Sequence, residues 1–161
     1  MENRPDKIIV HHDGVSRQSP SFGIVNEYHK SRDFPRSSLG FFVGYHYWIE
    51  RDGLLLQARN DAEIGAHTVG ENLSSIGIGL AGNFDAEDPT EAQVQVLGAL
   101  LARLSTRYNI PATRIFPHRK FATKTCYGLR LHDNWAAIVC LRSQIAVLQR
   151  ALDALMRARM P

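Results

Sequence analysis

The stretch FPHRKFATKTCYG, residues 116–128, places His118, Lys124 and Cys126 within nine positions of a segment that has neither helical nor strand periodicity. His118 and Cys126 are types that ligate a metal, pair as base and nucleophile, or sit unconnected on a surface. The partners elsewhere in the chain decide between these. The run DKIIVHH ends at His11 and His12, and its β-branched residues read as a buried strand. A strand end projects a rigid ligand, and a loop after a late strand can carry His118 and Cys126 back to the same edge. Two imidazoles and a thiolate form a zinc set, and three protein ligands leave the fourth tetrahedral position to water, as a catalytic site requires. The spacing between His118 and Cys126 also arises by chance, so the base-and-nucleophile reading stays open here. It leaves His11 without a role.

The elements that must position these residues follow from the rest of the pattern. With 161 residues, 44% hydrophobic and 22% charged, the chain supports one globular domain with one core. The opening MENRPDKIIV has no apolar run of signal-peptide length, and no stretch approaches the roughly 20 apolar residues of a membrane span. Synthesis in the cytoplasm as a soluble product is the expectation. The net charge is +3 and the basic residues are scattered until the last turns, which argues against a nucleic-acid partner and leaves an anionic polymer open. Two cysteines allow one disulfide at most. Cys126 is expected free, with Cys140 packed as a small helix residue.

Ser19 to Arg32 has helical spacing through Phe22, Val25 and His29, and the loop DFPRSSLG follows. FVGYHYWIE alternates and predicts a strand with Val43, Tyr45, Tyr47 and Ile49 on one face; RDG then turns into LLLQAR as a hairpin. SSIGIGLAG predicts another strand, its glycines marking close approach of backbone or ligand. Thr90 and Gln93 form a capping box ahead of a helix with apolar residues at 94, 97, 101, 104 and 108. The strand-like TRIF, the loop of residues 116–128 and a final helix from about Asn134 complete the chain. The fold class is α/β: a single domain with a central mixed β-sheet flanked by helices, and an extra long C-terminal helix.

Four motifs, IIVHH, VGYHYWIERDG, GAHTVGENLSSIGIGLAGNF and PHRKFATKTCYG, occur in this order. Together they resemble the zinc-dependent N-acetylmuramoyl-L-alanine amidases of the type 2 amidase and peptidoglycan recognition protein superfamily, most of all the short phage lysozymes that are amidases. The resemblance runs from about Lys7 to Trp135. It implies cleavage of the amide between N-acetylmuramic acid and L-alanine in peptidoglycan. It implies one zinc per chain held by His11, His118 and Cys126, with Tyr45 on the active-site tyrosine and Lys124 on the lysine two before the cysteine. His67 matches a position beside the cleft and Asn72 a turn-forming asparagine, so both are carried as substrate-side candidates, Asn72 with a structural role favoured. The implied setting is a phage or prophage endolysin that reaches the wall after holin-type release. A non-catalytic muropeptide-binding module and a cytosolic recycling amidase are the alternatives. The first commonly lacks the cysteine, and the second tends to carry a carboxylate in its place.

Departures from the family pattern are also visible. HHDG follows the ligand-bearing strand where small residues are usual, and Tyr127 replaces a usual proline after Cys126, which predicts a less stiff loop. His12 is expected to point away from His11, and His29 and His46 to be buried, hydrogen-bonded histidines. Residues 1–135 are assigned to the catalytic domain and 136–161 to an amphipathic helical extension. Ile138, Leu141, Ile145, Leu148, Leu152 and Leu155 repeat at alternating intervals of three and four, the spacing of a coiled-coil seam. Packing of this seam on the domain is the first expectation. Self-association is the second, and contact with an anionic membrane through Arg142, Arg150, Arg157 and Arg159 the third.

Overall fold

The computed structural model describes residues 2–16 and 20–158. Ser19 and Arg159, named above, lie outside that range. Five strands form one mixed sheet in the order β3-β2-β4-β1-β5: β1 is Lys7–His12, β2 Tyr47–Ile49, β3 Leu55–Gln57, β4 Ser75–Leu80 and β5 Ile115–Pro117. β1 runs parallel to both β4 and β5, β2 runs parallel to β4, and only β3 is antiparallel, paired with β2. The helices are α1 (Phe22–Lys30), α2 (Glu91–Tyr108) and α3 (Trp135–Ala158). No helix among the described residues is long and apolar enough to cross a membrane.

Strand alternation divides the sheet into two faces with different tasks. Ile8 and Val10 of β1, Tyr47 and Ile49 of β2, and Ile76, Ile78 and Leu80 of β4 pack against Leu97, Leu100, Leu101 and Leu104 of α2. Fully burying each such side chain stabilises by roughly 1.5–3 kcal/mol, so this face holds the domain together. The opposite face carries His11 and two glycines. In register, Ile9 faces Gly77 and His11 faces Gly79, and the missing side chains leave room for rings to lie on the sheet. A Cβ on Gly79 would sit 2.7 Å from the Tyr45 ring, and one on Gly77 would collide with the His67 ring. The close approach read from SSIGIGLAG is therefore side chain on backbone.

The α2 capping box forms as expected. Thr90 Oγ1 accepts from the Gln93 N–H at 3.1 Å, and Gln93 Oε1 accepts from the Thr90 N–H at 3.1 Å. α1 is capped differently. Ser21 gives its N-terminus no side-chain cap; instead both the Ser21 and Phe22 N–H groups donate to Glu50 Oε1 at 2.7 Å. Glu50, at the end of β2, thereby fixes where α1 begins, with its carboxylate at the positive end of the helix.

Two expectations are corrected. The strand read from FVGYHYWIE is confined to Tyr47–Ile49, because the chain bends at residues 44–46. Gly44 there is pressed against the Ala66 carbonyl, where a Cβ has no room. The bend breaks the alternation: Tyr45 stacks on Trp48 at 5.8 Å on the His11 side, while Tyr47 and Ile49 face α2. The seam of α3, secondly, does not pack on the domain. Ala136, Val139 and Cys140 are the buried residues of this helix, and Val139 and Ser143 approach Gly98 of α2. Those positions lie on the opposite side of the helix from Ile138, Leu141, Ile145, Leu148, Leu152 and Leu155, all of which are exposed.

Candidate active site

The C-terminal ends of the two neighbouring strands β1 and β5 supply the site. His11 is the penultimate residue of β1, and His118 opens the 3-10 turn His118–Lys120 directly after β5. The loop beyond it returns Cys126 to the same edge, and Arg119 organises that return. Its guanidinium donates to the carbonyls of Gly128 and Leu131 at 2.5 and 2.6 Å and to Asp133 Oδ1 at 2.7 Å, and its N–H donates to the Cys126 carbonyl. Tyr127 is fully buried and donates its hydroxyl to the His132 carbonyl at 2.8 Å. The ring that stands where proline is usual anchors the segment in the core.

One donor atom from each of His11, His118 and Cys126 lies within 4.8 Å of the other two. Cys126 Sγ is 3.8 Å from His11 Nδ1, and His118 Nδ1 is buried with no protein partner. Such an orphaned acceptor is destabilising unless a ligand satisfies it. The set fits a tetrahedral zinc ion with one position left over. Burial and then the neighbouring imidazoles of His67 and His118 hold His11 well below the usual histidine range, so it is the neutral ligand form. Burial lowers His118 also, and the nearby Lys124 charge adds to this. The Cys126 thiol is pushed up to about 12 by burial, the reverse of what a free nucleophilic cysteine needs. A metal cation is the natural partner for its thiolate.

His11, His118 and Cys126 share one cleft of about 780 Å3 with Tyr45, Lys124 and His67. Its far wall comes from α1 and the loop after it, through Ile24, Tyr28, His29, Arg32 and Phe34. The Tyr45 ring lies 5.0 Å from His11, and burial raises its hydroxyl pKa, so it is a neutral donor. Lys124 is exposed at the rim.

Four further histidines have packed or hydrogen-bonded places. His67 Nδ1 lies 3.1 Å from His11 Nε2, and its Nε2 lies 3.4 Å from Ser75 Oγ. Both ring nitrogens face protein partners, which makes His67 a support beneath His11. Asn72 is absent from the cleft lining; its Oδ1 accepts from the N–H groups of His67 and Thr68, both at 2.9 Å, and so shapes the loop that carries His67. His12 points to the α2 side, where its Nδ1 accepts from the Phe84 N–H at 3.0 Å. His46 Nε2 donates to the Glu63 carbonyl at 2.9 Å and its Nδ1 accepts from Gly77 N–H at 3.0 Å. His29 Nδ1 accepts from the Gly44 N–H at 3.2 Å. Sequence reasoning missed Glu50, Arg119 and Arg59. Arg59, 2% exposed, donates to the Val43 carbonyl at 2.8 Å and to that of Pro35, and so ties down the loop after α1. A carboxylate closing an apolar strand and an arginine beside a ligand were the available signals.

A mostly parallel sheet brings two histidines and a cysteine together at its strand ends beside a half-buried tyrosine, a candidate metal site in an α/β fold. Comparison with known proteins makes this specific. Residues 1–129 match the family described as N-acetylmuramoyl-L-alanine amidase. The endolysin of Escherichia phage T7 is 31% identical over 137 residues, which cover 81% of this chain and 85% of that protein. Peptidoglycan-recognition protein SC2 of Drosophila melanogaster is 28% identical, over 80% of this chain and 74% of its own length. Among solved structures, the N-acetylmuramoyl-L-alanine amidase LysC from Clostridium intestinale superposes with a TM-score of 0.69 at 29% identity, covering 80% of each chain. The chain belongs to the N-acetylmuramoyl-L-alanine amidase family and is an amidase acting on peptidoglycan.

Proposed function

We propose that the protein hydrolyses the amide between N-acetylmuramic acid and L-alanine as a zinc enzyme of the phage endolysin type. The convergence of His11, His118 and Cys126 in one cleft with Tyr45 is the observation that carries this reading. The phage relatives and the cleft support a wall-degrading role, and retention of all three ligands argues against a binding module.

His11, His118 and Cys126 would hold the ion. When bound, zinc supplies a Lewis acid for the scissile carbonyl and lowers the pKa of water toward about 7. The protein side of the chemistry falls to Tyr45 and Lys124. The hydroxyl of the half-buried Tyr45, neutral and in the same cleft as His11, donates a hydrogen bond to the reacting groups and orients the attacking water. Lys124 Nζ offers positive charge to the carbonyl oxygen as it becomes anionic. Loss of one preorganised donor of this kind typically costs about 3 kcal/mol of transition-state stabilisation. Ile24, Tyr28 and Phe34 give the cleft apolar surface for the substrate, while Arg32 and Lys124 offer charge to its carboxylates.

Purified peptidoglycan incubated with the protein, with and without a chelator, tests the reading. The expected products by mass are glycan free of stem peptide and peptides with a free L-alanine amine, formed only without the chelator. Cleavage at a glycosidic or cross-bridge bond would overturn it.

A further inference from the structure

Beyond Gln144, α3 leaves the domain. Ile145 is 64% exposed, Leu148 70%, Leu152 51% and Leu155 64%. Residues 145–158 amount to a projection of roughly 20 Å. A free helical end of this length is marginal in water by itself, and here it carries an apolar stripe on the side turned away from α2. The stripe begins on the domain at Ile138 and Leu141, both exposed, so six positions form one continuous seam.

We propose that this seam is the interface with a second copy of the chain, in a parallel two-stranded coiled coil. Three observations favour that occupant. The intervals are the strict three-four alternation of a heptad, with Ile138, Ile145 and then Leu152 at its first apolar position and Leu141, Leu148 and Leu155 at its second. Isoleucine followed by leucine in those places selects parallel dimers. The flanking positions, secondly, permit two copies to meet. Gln149 of one helix falls opposite Gln144 of the other, Arg142 opposite Ala137 and Met156 opposite Ala151, so no like charges are apposed. Arg150 and Arg157 lie on the outer side, away from the seam. A membrane-surface helix would want a row of cations flanking the stripe; here Arg142 is the one flanking cation, and Gln144, Gln149, Ala151 and Met156 occupy the flanks beyond it. Thirdly, the domain attaches through Ala136, Val139 and Cys140 on the helix side opposite the seam, so a two-fold axis along the seam leaves the two domains on its outer sides. Nearly three heptads bury on the order of 1,000 Å2 in total, at the lower edge for a specific interface.

The α3 helix shares the α2 face of the sheet, so both clefts stay open in the dimer. Two clefts on one particle raise the effective concentration of the second at a polymeric substrate.

Sedimentation of the full chain across micromolar concentrations is expected to show a monomer–dimer equilibrium. L148E/L152E should be monomeric at every concentration with its zinc content unchanged, and the outward change Arg150→Glu should leave the dimer intact. Leu155→Cys should form a covalent dimer under mild oxidation, as in-register parallel helices require. A full chain that is monomeric throughout would overturn the proposal, as would a monomer that binds phosphatidylglycerol vesicles through the same leucines. Absence of the Leu155→Cys cross-link in a protein that does dimerise would overturn the parallel arrangement.

Discussion

His67 Nδ1 lies 3.1 Å from Nε2 of His11, across 56 positions of sequence. With His11 protonated on Nε2 and donating to His67, its Nδ1 is left as a lone pair on the Cys126 side, 3.8 Å from Sγ. Outer partners of this kind fix the tautomer and ring orientation of a metal ligand, and losing them typically weakens metal binding by about 10–100-fold. His67→Phe should therefore lower zinc affinity by roughly that factor while Asn72 still holds the loop. Competition against a chromophoric chelator measures it. Unchanged affinity in a folded His67→Phe protein would remove His67 from the metal's support.

The ring of His67 can occupy its place only because Gly77 has no side chain. Gly77→Ala should displace the ring, with overpacking worth about 1–3 kcal/mol in urea denaturation and a parallel drop in zinc affinity. Gly70, which has open space around it, marks the contrast at the same residue type, though its φ of +86° strains any substitute. A Gly77→Ala protein with native stability and zinc affinity would contradict this packing.

Much of the fold was legible because its signals are local. The apolar run of β1, the Thr90–Gln93 box and the apolar spacing of α2 each state their structure within a few residues, and the grouping of His11, His118 and Cys126 followed from residue chemistry joined to motif order. What failed was non-local. Tyr45 shared an alternation with Tyr47 on paper, and only the contact of Gly44 with Ala66 shows that the chain bends between them. The task of His67 depends on a neighbour 56 residues away, and that of Arg119 on four groups along a returning loop. The apolar stripe of α3 was legible, but not the side of the helix that meets α2, which was set by Gly98, a small residue that carries little weight in an apolar pattern.

His29 links stability to pH. Burial, with the Arg59 charge adding to it, lowers its pKa from 6.5 to about 4, so the folded state holds it neutral. The unfolded chain takes up a proton first as pH falls, so the contribution is intact above the unfolded value and is lost on descent toward the folded one. Between about pH 7 and about pH 5 the loss from this group is about 2 kcal/mol. His29→Gln keeps an acceptor for Gly44 N–H and cannot titrate. Its stability should fall less over that interval than that of the parent, by about that amount, in paired urea titrations. Equal pH dependence of the two proteins would contradict the assignment.

Tyr45→Phe and Lys124→Ala separate chemistry from metal binding. Both should keep the fold and one zinc per chain and lose turnover by roughly a hundredfold or more. Turnover on a soluble muropeptide, with zinc content measured on the same sample, checks each. A variant that turns over at the parent rate would show its residue to be a packing or rim group.

The measurement that bears most directly on the account is zinc content and amide cleavage determined together for the parent protein and for Cys126→Ser. One zinc per parent chain is expected, with release of peptides bearing a free L-alanine amine. Cys126→Ser, in which a weakly acidic hydroxyl replaces the thiolate, should lose most of both. A Cys126→Ser protein that kept full zinc and full cleavage, or a parent protein that cleaved at full rate after its zinc was stripped, would contradict the assignment of this cleft.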